Sequence, residues 1–270
     1  MEEVITLIES TAGKLAKLLV NANIKNIRIT GDVNEDDLAF LSNYIRAKEN
    51  LTLYMEAAGT ETIWNPAFAE CDSLAAIHFS KTKSIGSAFY GCSSLTTADL
   101  PEATDVWNWA FSDCTSLTAV RLPKAVNIGD EAFRNCYHLT TINLPQALSI
   151  GRKAFYGCTS LISLCLPSTL TIDNEAFAGC TALKKLVIAG TEKCTIGHSA
   201  LSALPSLFLK EAVYPDAASL GRAWSNWGNE SRCAWDRYNW PEIHSNYKGQ
   251  GDLDNPDNYA VHWTRPLSDN

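Results

Sequence analysis

Apolar positions recur along this chain at a fixed long interval. Cysteines 71, 92, 114, 136, 158 and 180 are separated by 21, 22, 22, 22 and 22 residues. Three residues before each stands a phenylalanine (68, 89, 111, 133, 155, 177), and one before that an alanine. Three residues after each comes a leucine (74, 95, 117, 139, 161, 183), then apolar pairs such as Val120 and Leu122 or Ile142 and Leu144. A looser seventh copy runs through Ile196, Ala200, Leu201 and Leu207, with Leu204 in the cysteine's place. A unit of this length cannot bury its own apolar face, so neighbouring units must stack and bury the columns continuously. The pattern predicts an α/β repeat, a leucine-rich repeat solenoid of about seven 21–24-residue coils with parallel strands, a helical N-terminal cap and a C-terminal cap.

Each coil divides further. The L-x-x-I-x-L stretch alternates apolar and polar residues and predicts a strand buried on one face. Proline at 101, 123, 145 and 167 ends it, offering no N–H to extend a ladder. A second inward pair follows, as in Val126 and Ile128, and glycine at 86, 129, 151 and 197 marks a bend that disfavours a Cβ. The A-F-x-x-C segment is expected to form a short helical turn.

The ends depart from the repeat. Residues 1–60 read as a cap of helix, strand, helix, strand, with Leu15, Leu18 and Leu19 on one helical face and Ile27 and Ile29 alternating. Asn34 before Glu35, Asp36 and Asp37 marks a helix start, and Leu38, Leu41 and Ile45 give its buried stripe. Leu51 and Leu53 form a strand beneath the solenoid of residues 61–210. Residues 211–229 read as a closing strand and helix, with Leu220, Trp224 and Trp227 on one face. Residues 230–270, rich in aromatics (Trp235, Tyr238, Trp240, Tyr247, Tyr259, Trp263), read as an irregular tail packing on the cap or, alternatively, as an aromatic platform for a sugar or peptide.

SIGSAFYGCSSLTTADLP resembles the BspA-type leucine-rich repeat of bacterial proteins, over about residues 61–210. The segment ITLIESTAGKLAKLLVNANIKNIRITGDVNEDDLAFLSNYI is similar to the N-terminal cap of gut-bacterial members, and VYPDAASLGRAWSNW to their closing element. The resemblance implies a cell-surface or secreted binding protein, often an adhesin. No basic start with an apolar core, the mark of a signal peptide, precedes residue 10, so the expected localisation rests on that resemblance.

Composition narrows the function. Hydrophobic residues make up 46% of the 270 and charged residues 19%, which excludes a disordered chain. A net charge of -8 argues against a nucleic-acid partner, and no run approaches the ~20 apolar residues of a membrane-spanning helix. Nine cysteines, an odd number with no C-x-x-C pair, argue against zinc. The six of the repeat share the core columns and are expected to be buried free thiols; Cys165 is placed outward, Cys194 inward and Cys233 in the tail. GDVNEDD has Asp37 where a calcium loop needs glycine and Asn43 where it needs glutamate, so the helix start is preferred. GDLDNPDN (Asp252, Asp254, Asp257) stays open between a polar turn and a cation site. The five histidines are scattered, and no nucleophile or phosphate motif appears. No catalytic residue, metal or cofactor is expected.

What remains is surface. Outward strand positions form two columns across the coils, and a concave ligand platform drawn from them comprises His78, Thr97, Asp99, Arg121, Thr141, Asn143 and Lys185. Trp64, Trp107 and Trp109 form a second candidate, because Trp64 and Trp107 occupy the column where four coils carry glycine. The sequence thus predicts a monomeric, non-enzymatic binding or adhesion protein for a protein or peptide, including a host matrix protein or glycan. A carbohydrate-binding module or enzyme built by the tail, and a structural spacer in a surface assembly, are the alternatives.

Overall fold

The computed structural model describes residues 6–19, 25–64, 66–188, 194–201, 206–210 and 260–264. Strand β1 (Thr6–Ser10), helix α1 (Leu15–Leu19), strand β2 (Asn26–Gly31), helix α2 (Glu35–Arg46) and strand β3 (Leu51–Met55) come first. A two-strand coil then repeats, as β4 (Thr62–Ile63) with β5 (Leu74–Phe79), β6 (Ser84–Ile85) with β7 (Thr97–Asp99), and β8 (Asp105–Val106) with β9 (Ala119–Arg121). Next are β10 (Asn127–Ile128) with β11 (Thr141–Asn143), β12 (Ser149–Ile150) with β13 (Ser163–Leu166), and β14 (Thr171–Ile172) with β15 (Lys185–Ile188). The last described strands are β16 (Thr195–Ile196), β17 (Ser206–Lys210) and β18 (Ala260–Thr264).

Every strand pairing is parallel, as expected of a solenoid in which successive coils repeat one path. A long face runs β1-β2-β3-β5-β7-β9-β11, and β13-β15-β17-β18 form a further sheet. The seven two-residue strands β4 to β16 form a separate ladder. Strand β1 is one more than the pattern predicted: it adds to β2 in register, Thr6 opposite Ile27 through Ser10 opposite Gly31. The predicted closing element at 211–229 and most of the segment read as tail lie outside the described residues. So does Asp252–Asp257. Within that segment Ala260–Thr264 forms a strand on β17.

Helix α2 begins as its sequence dictates. The Asn34 side chain accepts from the Asp37 amide at 3.0 Å, and the Asp37 carboxylate accepts from the Asn34 amide at 3.1 Å. The same carboxylate accepts from the amides of Gly13 (2.7 Å) and Leu15 (2.9 Å), so this buried acid ties the start of α1 to the start of α2. GDVNEDD is therefore a capping segment.

The interior is a set of stacked columns. Phe68, Phe89, Phe111, Phe133, Phe155 and Phe177 are buried, with successive ring centroids 5.2–5.6 Å apart and planes within 9°. Phe79 closes edge-on against Phe68 at 6.0 Å. The A-F-x-x-C segment is a run of tight turns rather than a helix. In Phe111–Cys114, for example, Cys114 N–H bonds back to the Phe111 carbonyl at 3.2 Å, while the amides of Phe111 and Asp113 reach forward to Ala132 and Arg134 of the next coil at 2.8 Å. Alternate residues thus form a third inter-coil ladder, and Glu70, Asp113 and Asn135 take positive φ of 56–61° to make it.

The cysteines serve this ladder. The thiols of Cys92, Cys114, Cys136, Cys158 and Cys180 donate to the phenylalanine carbonyl of the preceding coil at 3.0–3.1 Å. None of the eight described cysteines is in a disulfide; seven are buried and Cys165 is exposed. Burial pushes the thiols of Cys71, Cys114, Cys136 and Cys180 up, and that of Cys194 to about 12.

Candidate binding faces

Strand alternation turns every second side chain of the long sheet outward, and parallel register then aligns them. Arg28 lies opposite Tyr54, Tyr54 opposite His78, His78 opposite Asp99, Asp99 opposite Arg121, and Arg121 opposite Asn143. Neighbouring strands stand ~4.8 Å apart, so each pair can touch. The Asp99 carboxylate bridges Arg121 Nη1 at 3.0 Å and His78 Nδ1 at 3.6 Å. The His78 ring stacks on Tyr54, centroids 4.5 Å apart and planes within 6°. The Arg28 guanidinium sits 5.2 Å over the far side of the column at Tyr54 and bridges Glu56 at 3.3 Å.

The predicted platform residues are thus divided. His78, Asp99 and Arg121 are joined in one chain of contacts, and Asn143 follows them in register. Thr97 and Thr141 stand in the adjacent outward column with Ala119 between them. Lys185 keeps its register opposite Ser163 in the other sheet; its side chain lies outside the described residues. Arg28 and Tyr54, which extend the line to six strands, escaped the sequence reading.

The other side of each coil carries the tryptophans. Trp64 is 60% exposed, Trp107 40% and Trp109 47%. Trp64 and Trp107 belong to coils two apart, yet their rings meet at 5.7 Å, tilted by 33°, across the coil that bears Gly86. A hydrogen-bonding rule explains which coils can hold a side chain there. A Cβ on Gly129 would stand 2.7 Å from the Asn108 amide nitrogen and Oδ1; on Gly151 the same distance from those atoms of Asp130; and on Gly197 2.5 and 2.6 Å from those of Asn174. Each of these oxygens accepts the amide that follows the glycine, from Asp130, Arg152 and His198 at 2.7–2.9 Å. Where the preceding coil offers Ser87 or Arg152 instead, the column holds Trp107 or Asp173. Trp107 is a side chain the backbone tolerates, and it leaves its ring to solvent.

Among the described residues no group of histidine, cysteine and carboxylates could hold a metal ion, and no helix is long and apolar enough to cross a membrane. His138 is exposed and its Nδ1 lies 2.7 Å from the Thr115 carbonyl, a contact between coils.

The sequence profile of the BspA type leucine rich repeat region, in six copies, matches residues 42–149 and 83–208. A leucine-rich repeat protein of T. pallidum is 27% identical, with 56% of this chain and 75% of that one aligned at a TM-score of 0.52. A leucine-rich cell surface protein of Faecalibacterium prausnitzii is 21% identical over 70% of this chain and 60% of its own, TM-score 0.48. One from Bacteroides ovatus is 18% identical over 78% and 61%, TM-score 0.46. This chain spans about three fifths of each of the latter two. No curated protein matches it.

Proposed function

This chain belongs to the BspA-type leucine-rich repeat family, and on that premise we propose that it is a non-enzymatic, monomeric binding protein of the cell surface or the secreted fraction. Its ligand is a protein or peptide, met by the outward face of the long sheet at His78, Thr97, Asp99, Arg121, Thr141 and Asn143, with Lys185 further along. The observation that carries this reading is the unbroken line Arg28–Tyr54–His78–Asp99–Arg121, which presents two guanidinium groups, two rings and a carboxylate in fixed order. Its members already pair with one another, so they are held in place before a partner arrives and little side-chain freedom is lost on docking. A partner must offer charges of both signs in matching order, which gives selectivity rather than bulk affinity.

The test is binding of the chain to an array of extracellular matrix proteins. At least one should bind. Arg121→Glu should weaken that contact about tenfold or more by placing a second acid beside Asp99, and the exposed Lys83→Glu, beside the short strand β6, should leave it unchanged. Equal affinity of Arg121→Glu and the parent for such a partner would remove the sheet face from consideration.

A further inference from the structure

On the side away from the long sheet, a cleft of about 380 Å3 opens between coils, lined by Tyr90, Trp109, Asp113, Arg134 and two serines, Ser87 and Ser112, with Pro66 at its border. Its size falls within the ~300–1,000 Å3 of small-molecule sites. We propose that this cleft binds a neutral sugar unit of an oligosaccharide, stacked on Trp109 and Tyr90, and that the Trp64–Trp107 pair carries the neighbouring unit.

The fold does not need these rings. Trp109 sits at φ +57°, in a column filled in later coils by Glu131, Lys153, Glu175 and Ser199 at 53–57°. Glycine suits that conformation better than any bulky residue. Tyr90 is 38% exposed. Open indole and phenol faces next to fixed polar groups suit a pyranose, whose C–H-rich face stacks on a ring while its edge hydroxyls seek donors and acceptors.

The lining decides among ligand classes. Apart from Pro66, every lining residue carries a hydrogen-bonding group, and no aliphatic side chain offers a seat for a Leu or Val of a peptide. The charges are already engaged, the Glu131 carboxylate taking both Arg134 and, at 3.3 Å, Arg152. Arg134 Nη1 bonds Glu131 Oε2 at 2.9 Å, and the Asp113 oxygens accept from Asn135 (2.8 Å) and Ser112 (3.1 Å). With Glu131 and Asp113 set against Arg134 and Arg152, two charges against two, no net cation is left to hold a sulfate or uronate, yet carboxylate and guanidinium keep capacity for hydroxyl groups. Neutral sugar is the class that uses all of this. Trp107 and Trp64 stand two residues before Trp109 and Pro66, so the aromatic strip continues beyond the cleft and favours a chain over a single ring.

The experiment titrates the chain with hexasaccharides of glucose, xylose, mannose, galactose and N-acetylglucosamine, with heparin and decaproline alongside, read by calorimetry and tryptophan fluorescence. At least one neutral hexasaccharide should bind and shift the emission. Trp109→Gly should weaken it about tenfold or more while melting close to the parent, since glycine is at home at this φ. Trp107→Gly should weaken the hexasaccharide but not the disaccharide of the same sugar. Arg121→Glu should leave sugar affinity unchanged, so failure of the sheet-face reading and failure of this one are separable. Binding of heparin or decaproline in place of every neutral sugar, no binding at all, or sugar binding indifferent to Trp109→Gly would each overturn the proposal.

Discussion

Inside the coil and outside it, the same interval of about 22 residues is filled by different rules. Inward, each position holds nearly the same residue from coil to coil, because a phenylalanine must stack on a phenylalanine and a thiol must reach the carbonyl beneath it. Outward, the column His78, Asp99, Arg121, Asn143 changes at every step, and the Asp99 carboxylate is complementary to the neighbour on either side of it. On the opposite side, rings stand where other coils have glycine or polar side chains such as Glu131, Lys153 and Ser199. Identity along a column therefore marks what the fold requires. Departure from it marks positions the fold leaves free, where binding chemistry can be placed.

The largest expected effect strikes the interior alone, through its thiols. Burial raises Cys71, Cys114, Cys136, Cys180 and Cys194 above their ordinary 9.0. Below about pH 9 both folded and unfolded chains keep these protons. Above it the unfolded chain releases protons that the folded chain holds, so stability falls as pH rises toward the folded values. For Cys194 alone, about 12 against 9.0, the loss approaches ~4 kcal/mol. The melting temperature should drop ever more steeply as pH rises above about 9. Replacing Cys114, Cys136 and Cys180 by serine keeps a donor to each carbonyl and should flatten the drop; an unchanged slope would show that other groups cause it.

Next in size is a single ring. Phe133 has Phe111 at 5.4 Å on one side and Phe155 at 5.2 Å on the other. Phe133→Ala should cost ~3–5 kcal/mol in chemical denaturation, the transfer of a large side chain plus an unfilled cavity. The exposed Tyr137→Ala, four residues on, should cost less than ~0.5 kcal/mol. Similar costs for the two would erase the distinction between column and surface.

How far the sequence revealed this follows the same division. The phenylalanine, leucine and cysteine columns were legible because repetition itself carries the signal, and strands, parallel pairing and burial all followed from it. Arg28 and Tyr54 were not, because the alignment of β3 with β5 slips between Leu51 and Thr52, so spacing counted back from Cys71 no longer maps one strand onto the next. The cysteines read as small hydrophobes, which their burial supports, but their role as donors depends on a carbonyl that no pattern displays. The turn run in A-F-x-x-C resembles one helical turn in composition. Its amides find partners a whole coil away, and single-coil reasoning cannot see that. Among the outward residues, the pairing of Asp99 with Arg121 followed from register, whereas the meeting of Trp64 and Trp107 across an intervening coil did not.

The smallest effects give the sharpest test, because they concern one column with opposite expectations. Gly151→Ala adds a Cβ that would sit 2.7 Å from the Asp130 amide nitrogen and Oδ1, and that oxygen is engaged by the Arg152 amide at 2.9 Å. Because the Asp130 nitrogen and the Gly129 carbonyl carbon are also within 2.7 Å, the backbone must shift as well as the oxygen, so the substitution should cost ~1–3 kcal/mol. Trp107→Gly runs the other way. The preceding coil supplies Ser87 where others supply Asn or Asp, and the ring is 40% exposed, so glycine should change stability by no more than ~1 kcal/mol. Removing an entire indole would thus disturb the fold less than adding one methyl group elsewhere in the same column. Should Trp107→Gly prove the more damaging of the two, the tryptophan is a structural part of the coil, and the division between required and free positions does not hold on this side of the molecule.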